Sequence, residues 1–235
     1  MAALAVLLIG SALAWHRYFR MPEADLRPLA PGLVAFASPE GQRLLERSRY
    51  TADYEPLVAN FEGQSRPAYC GVASSVMTLN ALRAPHARLD QSTFFSESAR
   101  EVRHPLRVTV SGMSLSNLGE LLRAHGADAR HYPASDLSID RFRAIARQNL
   151  STPGDFVLVN YQRAALGQEE IGHISPLAAY DATSDRFLIL DVAAHKYPSV
   201  WVSTEALWKA MSMPLGSGSP YTRGFIVVRE GRGSS

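Results

Sequence analysis

The sequence contains a single cysteine, Cys70, among its 235 residues. One cysteine cannot form an intramolecular disulfide, so an apolar core must stabilise the fold, and hydrophobic residues make up 46% of the chain. One thiol also cannot supply the several ligands of a thiolate metal cluster.

Strong charge and long apolar segments are also scarce. Charged residues make up 20% of the chain, and the formal net charge is +2. No cluster of Lys and Arg is interleaved with aromatic residues, which leaves nucleic acid binding without support. The apolar run from Ala2 to Trp15 is shorter than the roughly 20 residues that a membrane-spanning helix needs.

The N-terminal run has features of an export signal. Ala12-Leu13-Ala14 has the small-x-small pattern of a signal-peptidase site, although Arg17 and Arg20 follow the apolar run instead of preceding it. We interpret residues 1–20 as a signal peptide or membrane anchor. This predicts a periplasmic or membrane-anchored bacterial protein, with a cytoplasmic chain as the alternative.

Residues 21–235 divide into a helical first part and a strand-rich second part. Apolar residues at helical spacing predict helices, and alternating or continuous apolar runs after Pro153-Gly154 predict strands. Helices first and antiparallel-looking strands second indicate an α+β fold. The predicted helices span 39–49, 54–61, 70–82, 114–125, 138–149 and 203–211, and the predicted strands span 107–111, 156–161, 173–182, 187–192 and 225–228.

Cys70 stands at the start of a predicted helix, directly after a loop that contains Pro67. A helix N-terminus favours a thiolate through its dipole and its free N–H groups. Gly71 allows another backbone or a substrate to approach closely. A lone cysteine on a helix is otherwise most often an inert buried residue, so this position makes Cys70 a candidate nucleophile.

His173 and Asp191 are candidates for the general base that activates the nucleophile and for the carboxylate that orients this base. His173 opens an apolar strand, and Asp191 ends another, where a carboxylate is costly to bury unless it is paired. If the two strands form a hairpin, Asp191 can hold the His173 imidazole in the tautomer of a general base. The alternative is that Asp191 caps a turn. Gln64, in the loop before Cys70, could donate to a developing oxyanion.

Four sequence blocks together resemble the phytochelatin synthases, which are glutathione γ-glutamylcysteinyltransferases with a papain-like fold. The blocks run from Gln64 to Leu82, from Gly172 to Tyr180, from Leu188 to Val202, and over Arg223-Gly224-Phe225. The resemblance implies that residues 21–235 form one catalytic domain. It also implies a papain-like cysteine protease fold with an N-terminal helical lobe and a C-terminal antiparallel β lobe.

The resemblance implies a role for each matching residue. Cys70 matches the nucleophile, His173 the general base and acid, Asp191 the orienting carboxylate and Gln64 the oxyanion donor. Arg223 matches an arginine that we assign to a substrate carboxylate. The other residues implied at the substrate-binding cleft are Tyr69, Asn160, Tyr161 and Gly172, and Arg163 matches the loop that borders it.

The implied reaction is cleavage of the Cys–Gly bond of glutathione through a γ-Glu-Cys acyl-enzyme on Cys70. Water or a second glutathione would then accept the acyl group, giving hydrolysis or phytochelatin synthesis. The family needs no bound cofactor, and cadmium or zinc enters as a thiolate complex of the substrate, so the resemblance implies no metal site in the protein. We keep open a homodimer and a membrane tether through residues 2–15.

Other functions are compatible with the same residues. The loop 215–220 lacks the acidic residue that family members tend to carry there, which leaves the acyl acceptor open. One alternative is a papain-like peptidase or amidase acting on other γ-glutamyl peptides. A second is a non-catalytic thiol- or metal-binding protein, which the single cysteine argues against.

Overall fold

The computed structural model of the chain describes residue 13 and residues 15–83, 88–216 and 219–231. The predicted signal peptide or anchor falls mostly outside these residues. Within them, no helix combines the length and the apolar character that crossing a membrane would require.

The helices in the described part of the chain mostly begin at a capping side chain. Ser38, Ser114, Ser138 and Ser203 each accept a hydrogen bond from a backbone N–H of the helix that follows. The helices are α1 (Pro39–Arg47), α2 (Tyr54–Ala59), α3 (Cys70–Leu82), α4 (Glu97–Val102), α5 (Pro105–Ser111), α6 (Leu115–Ala124), α7 (Ile139–Asn149) and α8 (Thr204–Met211).

Seven strands within the described residues form one sheet, in which every neighbouring pair is antiparallel. Their order is β1-β6-β5-β4-β3-β7-β2. The strands are β1 (Val34–Ala35), β2 (Ala127–Pro133), β3 (Asp155–Gln162), β4 (Gly172–Asp181), β5 (Arg186–Ile189), β6 (Val200–Ser203) and β7 (Gly224–Glu230). The predicted α+β class is therefore confirmed.

The core lies on both faces of the sheet. On one face, α7 and α8 cover alternate residues of β3, such as Val157 and Val159. On the other face, α3 packs against Leu158 of β3 and Ile174 of β4. Helix α3 is buried almost all round, which explains why its sequence is apolar on every side. The first residue of α3 is thereby held against the sheet.

The structure corrects part of the predicted secondary structure. The segment 107–111, predicted as a strand, belongs to helix α5. His104 Nδ1 accepts a hydrogen bond from the Leu106 N–H at 3.2 Å, and Pro105 occupies the first turn. Strands β2 and β6 were not predicted, and β5 ends at Ile189 instead of residue 192. In β2, Ala127 and Ala129 are the buried apolar residues, so its pattern is weak.

Candidate active site

Cys70 is the first residue of α3 and lines a cleft of about 880 Å³. One wall of the cleft comes from the loop before α3 and from the segment after α5. The opposite wall comes from the ends of β3, β4 and β7 and from the segment after β5. Met113 packs against Gly71, where a Cβ atom would lie 2.6 Å from the Met113 sulfur. The glycine therefore lets the segment after α5 approach α3 next to the thiol.

The β3–β4 pair positions His173 beside the thiol. His173 lies opposite Tyr161 in the ladder, and their rings meet edge to face with centroids 5.7 Å apart. The Ser74 hydroxyl in α3 donates to the Ile174 carbonyl oxygen at 3.1 Å, which ties the helix to the strand. His173 is only 4% exposed, and it lies close enough to Cys70 that each group shifts the pKa of the other.

Asp191 lies on the far side of the imidazole. Its Oδ1 is 3.0 Å from His173 Nε2, which leaves Nδ1 as the ring nitrogen that faces Cys70. Among the described residues, Nε2 has no partner with the alignment of a hydrogen bond. Its contact with Asp191 is therefore a close electrostatic contact between the imidazole and the carboxylate. The β4–β5 hairpin predicted from the sequence brings the two residues together, although Asp191 lies two residues beyond the end of β5.

Arg163 holds Asp191 from the other side. Its Nη2 donates to Asp191 Oδ1 at 2.7 Å and to Oδ2 at 2.8 Å, and both side chains are 1% exposed. Its guanidinium also lies over the Tyr197 ring at 4.7 Å and donates to Gln168 Oε1 at 2.6 Å. The sequence placed Arg163 beside the cleft, but its contact with Asp191 becomes visible only in the fold.

The pKa values of the three groups shift in the sense that favours a thiolate–imidazolium pair. Burial raises the pKa of the Cys70 thiol, but the contact with His173, the Ile174 N–H and Arg163 outweigh burial and leave it below its usual range. Burial and Arg163 lower the pKa of His173, but Asp191 and Cys70 raise it above its usual range. Burial opposes ionisation of Asp191, yet His173 and Arg163 hold its pKa far below its usual range.

Gln64 lies in the same cleft with its amide engaged. Its Nε2 donates to the carbonyl oxygens of Arg66 at 3.0 Å and Pro67 at 2.8 Å, while its buried Oε1 has no partner among the described residues. Its backbone N–H donates to the Val192 carbonyl oxygen at 2.8 Å. The loop before Cys70 is thus tied to the segment that carries Asp191, and Gln64 can donate to an oxyanion only by releasing one of its two carbonyl contacts.

Arg223 places a buried positive charge on the sheet side of the cleft. It is 8% exposed, and no carboxylate of the described residues pairs with it. Its Nη1 donates to Asn160 Oδ1 at 3.1 Å, and its Nε has no partner among the described residues. A Cβ atom at Gly172 would lie 2.4 Å from Nη1, so glycine is what lets the guanidinium lie across this strand.

Two residues predicted at the cleft lie behind it instead. Tyr161 is 1% exposed and packs in the core formed with α7 and α8, on the same face of the sheet as His173, which it contacts. Tyr69 is 3% exposed, and its hydroxyl accepts hydrogen bonds from Arg66 and Thr109. Neither residue lines the cleft. Cys70, His173, Gln64, Asn160, Gly172 and Arg223 all do.

The geometry suits attack by a thiolate on an acyl group. Cys70 is at a helix N-terminus, His173 is beside it, and the buried Asp191 contacts His173. This is the arrangement of nucleophile, base and orienting carboxylate that nucleophilic catalysis requires. Within the described part of the chain, no group of three or more His, Cys, Asp or Glu residues is arranged to hold a metal ion.

Comparison with known proteins gives the same family throughout. Residues 24–225 match the sequence model of the phytochelatin synthase family. The chain is 36% identical over 205 residues to glutathione gamma-glutamylcysteinyltransferase 1 of Lotus japonicus, covering 85% of this chain and 41% of that protein. It is 33% identical to the Arabidopsis thaliana protein of the same name, covering 85% of this chain and 42% of the relative. The Schizosaccharomyces pombe glutathione gamma-glutamylcysteinyltransferase is 27% identical, covering 86% of this chain and 50% of the relative. The chain therefore spans about half or less of the length of these relatives.

Proposed function

Because the chain belongs to the phytochelatin synthase family, we propose that it cleaves the Cys–Gly bond of glutathione through a γ-Glu-Cys acyl-enzyme on Cys70. The single observation that carries the proposal is the cleft residue Cys70 beside His173 and Asp191, which are both buried and lie 3.0 Å apart. The names of the relatives supply the substrate, since each is a glutathione gamma-glutamylcysteinyltransferase.

In the first half-reaction, the Cys70 thiolate attacks the carbonyl carbon of the Cys–Gly amide. The resulting oxyanion collapses, the C–N bond breaks, and the His173 imidazolium gives its proton to the leaving glycine nitrogen. The product is a γ-Glu-Cys thioester on Cys70. Asp191 holds the imidazole and stabilises its charged form, and Arg163 fixes Asp191 in place. Gln64 turns from its loop carbonyls to donate to the oxyanion.

In the second half-reaction, the acceptor gives a proton to His173 as it attacks the thioester, and the C–S bond breaks to release the thiolate. Water as acceptor yields γ-Glu-Cys, and the amino group of a second glutathione yields (γ-Glu-Cys)2-Gly. No bound cofactor enters either step. Cadmium or zinc takes part as a thiolate complex of the glutathione itself.

Recognition of an anionic peptide has its own support. Arg223 is a buried guanidinium without a carboxylate partner among the described residues, and leaving such a charge unpaired is costly. Glutathione carries two carboxylates, either of which suits the planar fork of an arginine. Asn160 orients the guanidinium by accepting its hydrogen bond. We assign Arg223 and Asn160 to substrate carboxylate binding on this basis.

The test is product analysis with purified protein. Glutathione is incubated with the enzyme, with and without cadmium, and products are followed by mass spectrometry beside Cys70→Ala and His173→Ala variants. We expect glycine and γ-Glu-Cys from the parent protein and neither from the variants. Added (γ-Glu-Cys)2-Gly would establish transpeptidation as well.

Two outcomes would contradict the proposal. Glycine release that is equal in the parent and in Cys70→Ala would remove the acyl-enzyme. No release from glutathione together with turnover of another γ-glutamyl peptide would favour the peptidase or amidase alternative. Competition by glutathione in that second assay distinguishes a related substrate from an unrelated one.

A further inference from the structure

A segment that begins ahead of the family-matched region and runs into its first residues lines the cleft. The match begins at residue 24, yet Arg17, Tyr18, Pro22 and Glu23 all line the cleft that contains Cys70. We call residues 15–27 the strap. The strap runs from the wall formed by the loop before α3 to the wall that carries the segment after Asp191.

Each end of the strap is attached to a different wall. At one end, the guanidinium of Arg66 lies 5.3 Å from the centre of the Phe19 ring. At the other end, the Asp25 N–H donates to the His195 carbonyl oxygen at 2.8 Å, and the Arg27 N–H donates to the Lys196 carbonyl oxygen at 2.8 Å. His195 and Lys196 themselves line the cleft. The strap therefore bridges the two walls.

The strap is held by few contacts. None of its described residues is buried, and its two ion pairs, Arg20–Glu23 and Arg27–Asp25, are internal to it. An element that buries so little surface belongs to the low-stability end of a fold and can open without disturbing the rest. Its position restricts entry to the cleft while it is closed.

We propose that the strap selects the acyl acceptor, by admitting water to the thioester and restricting entry of a second peptide. The inference rests on the proposed acyl-enzyme. After glycine leaves, transpeptidation requires the amino group of a second glutathione to reach the thioester carbon beside Cys70. That peptide must enter the cleft, which Arg17, Tyr18 and Glu23 help to line. Water needs no such room, so a closed strap favours hydrolysis.

The test loosens the strap in the full chain without altering the cleft walls. Asp25→Pro and Arg27→Pro each remove one N–H donor of the bridging hydrogen bonds. Both also remove the Arg27–Asp25 ion pair inside the strap, which is exposed and contributes little to stability. Leu26→Pro is the matched control, because its N–H has no hydrogen-bond partner among the described residues and its side chain is 72% exposed. The ratio of (γ-Glu-Cys)2-Gly to γ-Glu-Cys is measured at one fixed glutathione concentration.

We expect the product ratio to rise by roughly fivefold for each hydrogen bond removed, which is the shift that one net hydrogen bond gives to an equilibrium. Leu26→Pro should keep the parental ratio. An unchanged or lower ratio in Asp25→Pro and Arg27→Pro, with glycine release intact, would overturn the role of the strap.

A second readout separates failure of the strap from failure of the acyl-enzyme. If the parent releases no glycine, the proposed function fails, and access to Cys70 still tests the strap. Alkylation by a maleimide with a tripeptide-sized substituent should accelerate in the loosened variants, relative to alkylation by iodoacetamide. Equal rate ratios in Asp25→Pro, Leu26→Pro and the parent would overturn the gating role.

Discussion

The buried ion pair between Arg163 and Asp191 gives a stability prediction that depends on the structure alone. Both side chains are 1% exposed, and Arg163 donates to both carboxylate oxygens, at 2.7 and 2.8 Å. Arg163→Met removes the guanidinium while keeping an unbranched apolar stem. Asp191 then keeps His173 at 3.0 Å and the Ala193 N–H at 2.9 Å as partners.

Removing one partner of a buried ion pair typically costs about 3–5 kcal/mol, because the remaining charge stays buried without compensation. We expect Arg163→Met to lower the free energy of unfolding by about that amount. Arg143→Met is a matched control. Arg143 contacts Asp185 through two hydrogen bonds of 2.9 and 3.0 Å, but these side chains are 28% and 43% exposed. Because solvent screens this exposed pair, Arg143→Met should lower the free energy of unfolding by no more than about 1 kcal/mol.

Urea denaturation at neutral pH measures both variants, and a double-mutant cycle with Asp191→Asn isolates the pair. The reasoning is refuted if Arg163→Met costs no more than Arg143→Met, or if it is additive with Asp191→Asn within about 0.5 kcal/mol. Arg163 also lowers the pKa of both Cys70 and His173. A plot of the rate of Cys70 alkylation against pH reports the ionisation of Cys70 and of His173. Both inflections should move to higher pH in Arg163→Met, which a purely structural role of Arg163 would not produce.

Three further predictions concern single groups. His173→Ala should move the pH inflection of Cys70 alkylation by iodoacetamide upward, because the imidazole no longer offsets the rise in thiol pKa that burial causes. An unchanged inflection would contradict the interaction between Cys70 and His173. Gln64→Ala should lower kcat for glycine release about 10²- to 10³-fold with little change in KM, because an oxyanion donor acts in the transition state. Steady-state kinetics measures both constants, and a change in KM alone would contradict that role. Asp53 is buried with both oxygens unpartnered among the described residues, and burial raises its pKa from 3.8 to about 9. Because the pKa of Asp53 is higher in the folded than in the unfolded protein, its contribution to stability is complete below the unfolded pKa. That contribution is lost as the pH rises through the folded pKa. Asp53→Asn should therefore gain stability relative to the parent between about pH 4 and pH 9, whereas exposed Asp128→Asn should not; a pH-independent difference in urea midpoints would refute the buried carboxyl.

The parts of the fold that the sequence predicted well have local signals. The segment Cys70–Leu82 was predicted with its observed bounds, since a proline-containing loop precedes it and an arginine follows it. The hairpin of β4 and β5 was predicted from two apolar runs separated by Thr183-Ser184-Asp185. Asp185 takes a φ of 51° in that turn, a left-handed conformation that Asp tolerates better than most residues.

The parts that were missed depend on distant partners. Strand β2 has a polar sequence and exists because β7 pairs with it along its whole length, from Ala127 to Pro133. Segment 107–111 alternates like a strand, but Pro105 and the His104 cap begin a short helix in which Val108 and Thr109 are buried. Pairing and burial override local preference in both segments.

The same division holds at the candidate site. Position along the chain was enough to suggest Cys70, His173 and Asp191, because each stands at the end of an element. It could not show that Arg163 reaches Asp191, since the chain turns back through 28 residues to make that contact. Nor could it show that the Gln64 amide is engaged by loop carbonyls. Side-chain partners of this kind are properties of the assembled fold.

The balance of charge in the cleft leads to a final prediction about Arg223. A Cys70 thiolate and the Asp191 carboxylate balance the His173 imidazolium and the Arg163 guanidinium. Among these inner groups Arg223 is therefore a surplus positive charge, because the other charged residues that line the cleft, Arg17, Glu23, Asp25, Glu169 and Lys196, are not buried. Although burial lowers the pKa of Arg223, a guanidinium stays protonated at neutral pH. Cys70 should then react faster with anionic iodoacetate, relative to neutral iodoacetamide, than a free thiol does.

Arg223→Gln should lower this iodoacetate-to-iodoacetamide rate ratio about tenfold, which corresponds to about 1.4 kcal/mol of lost charge attraction. Arg229→Gln is the matched control, since Arg229 lies on β7, which begins directly after Arg223, is exposed and does not line the cleft. The comparison of two small reagents needs no knowledge of the substrate, so it tests the charge of the cleft separately from its reaction. An equal fall of the ratio in both variants would mean that general surface charge attracts the anion. No fall in Arg223→Gln would mean that the guanidinium does not act on groups at Cys70, and its assignment to a substrate carboxylate would then be wrong.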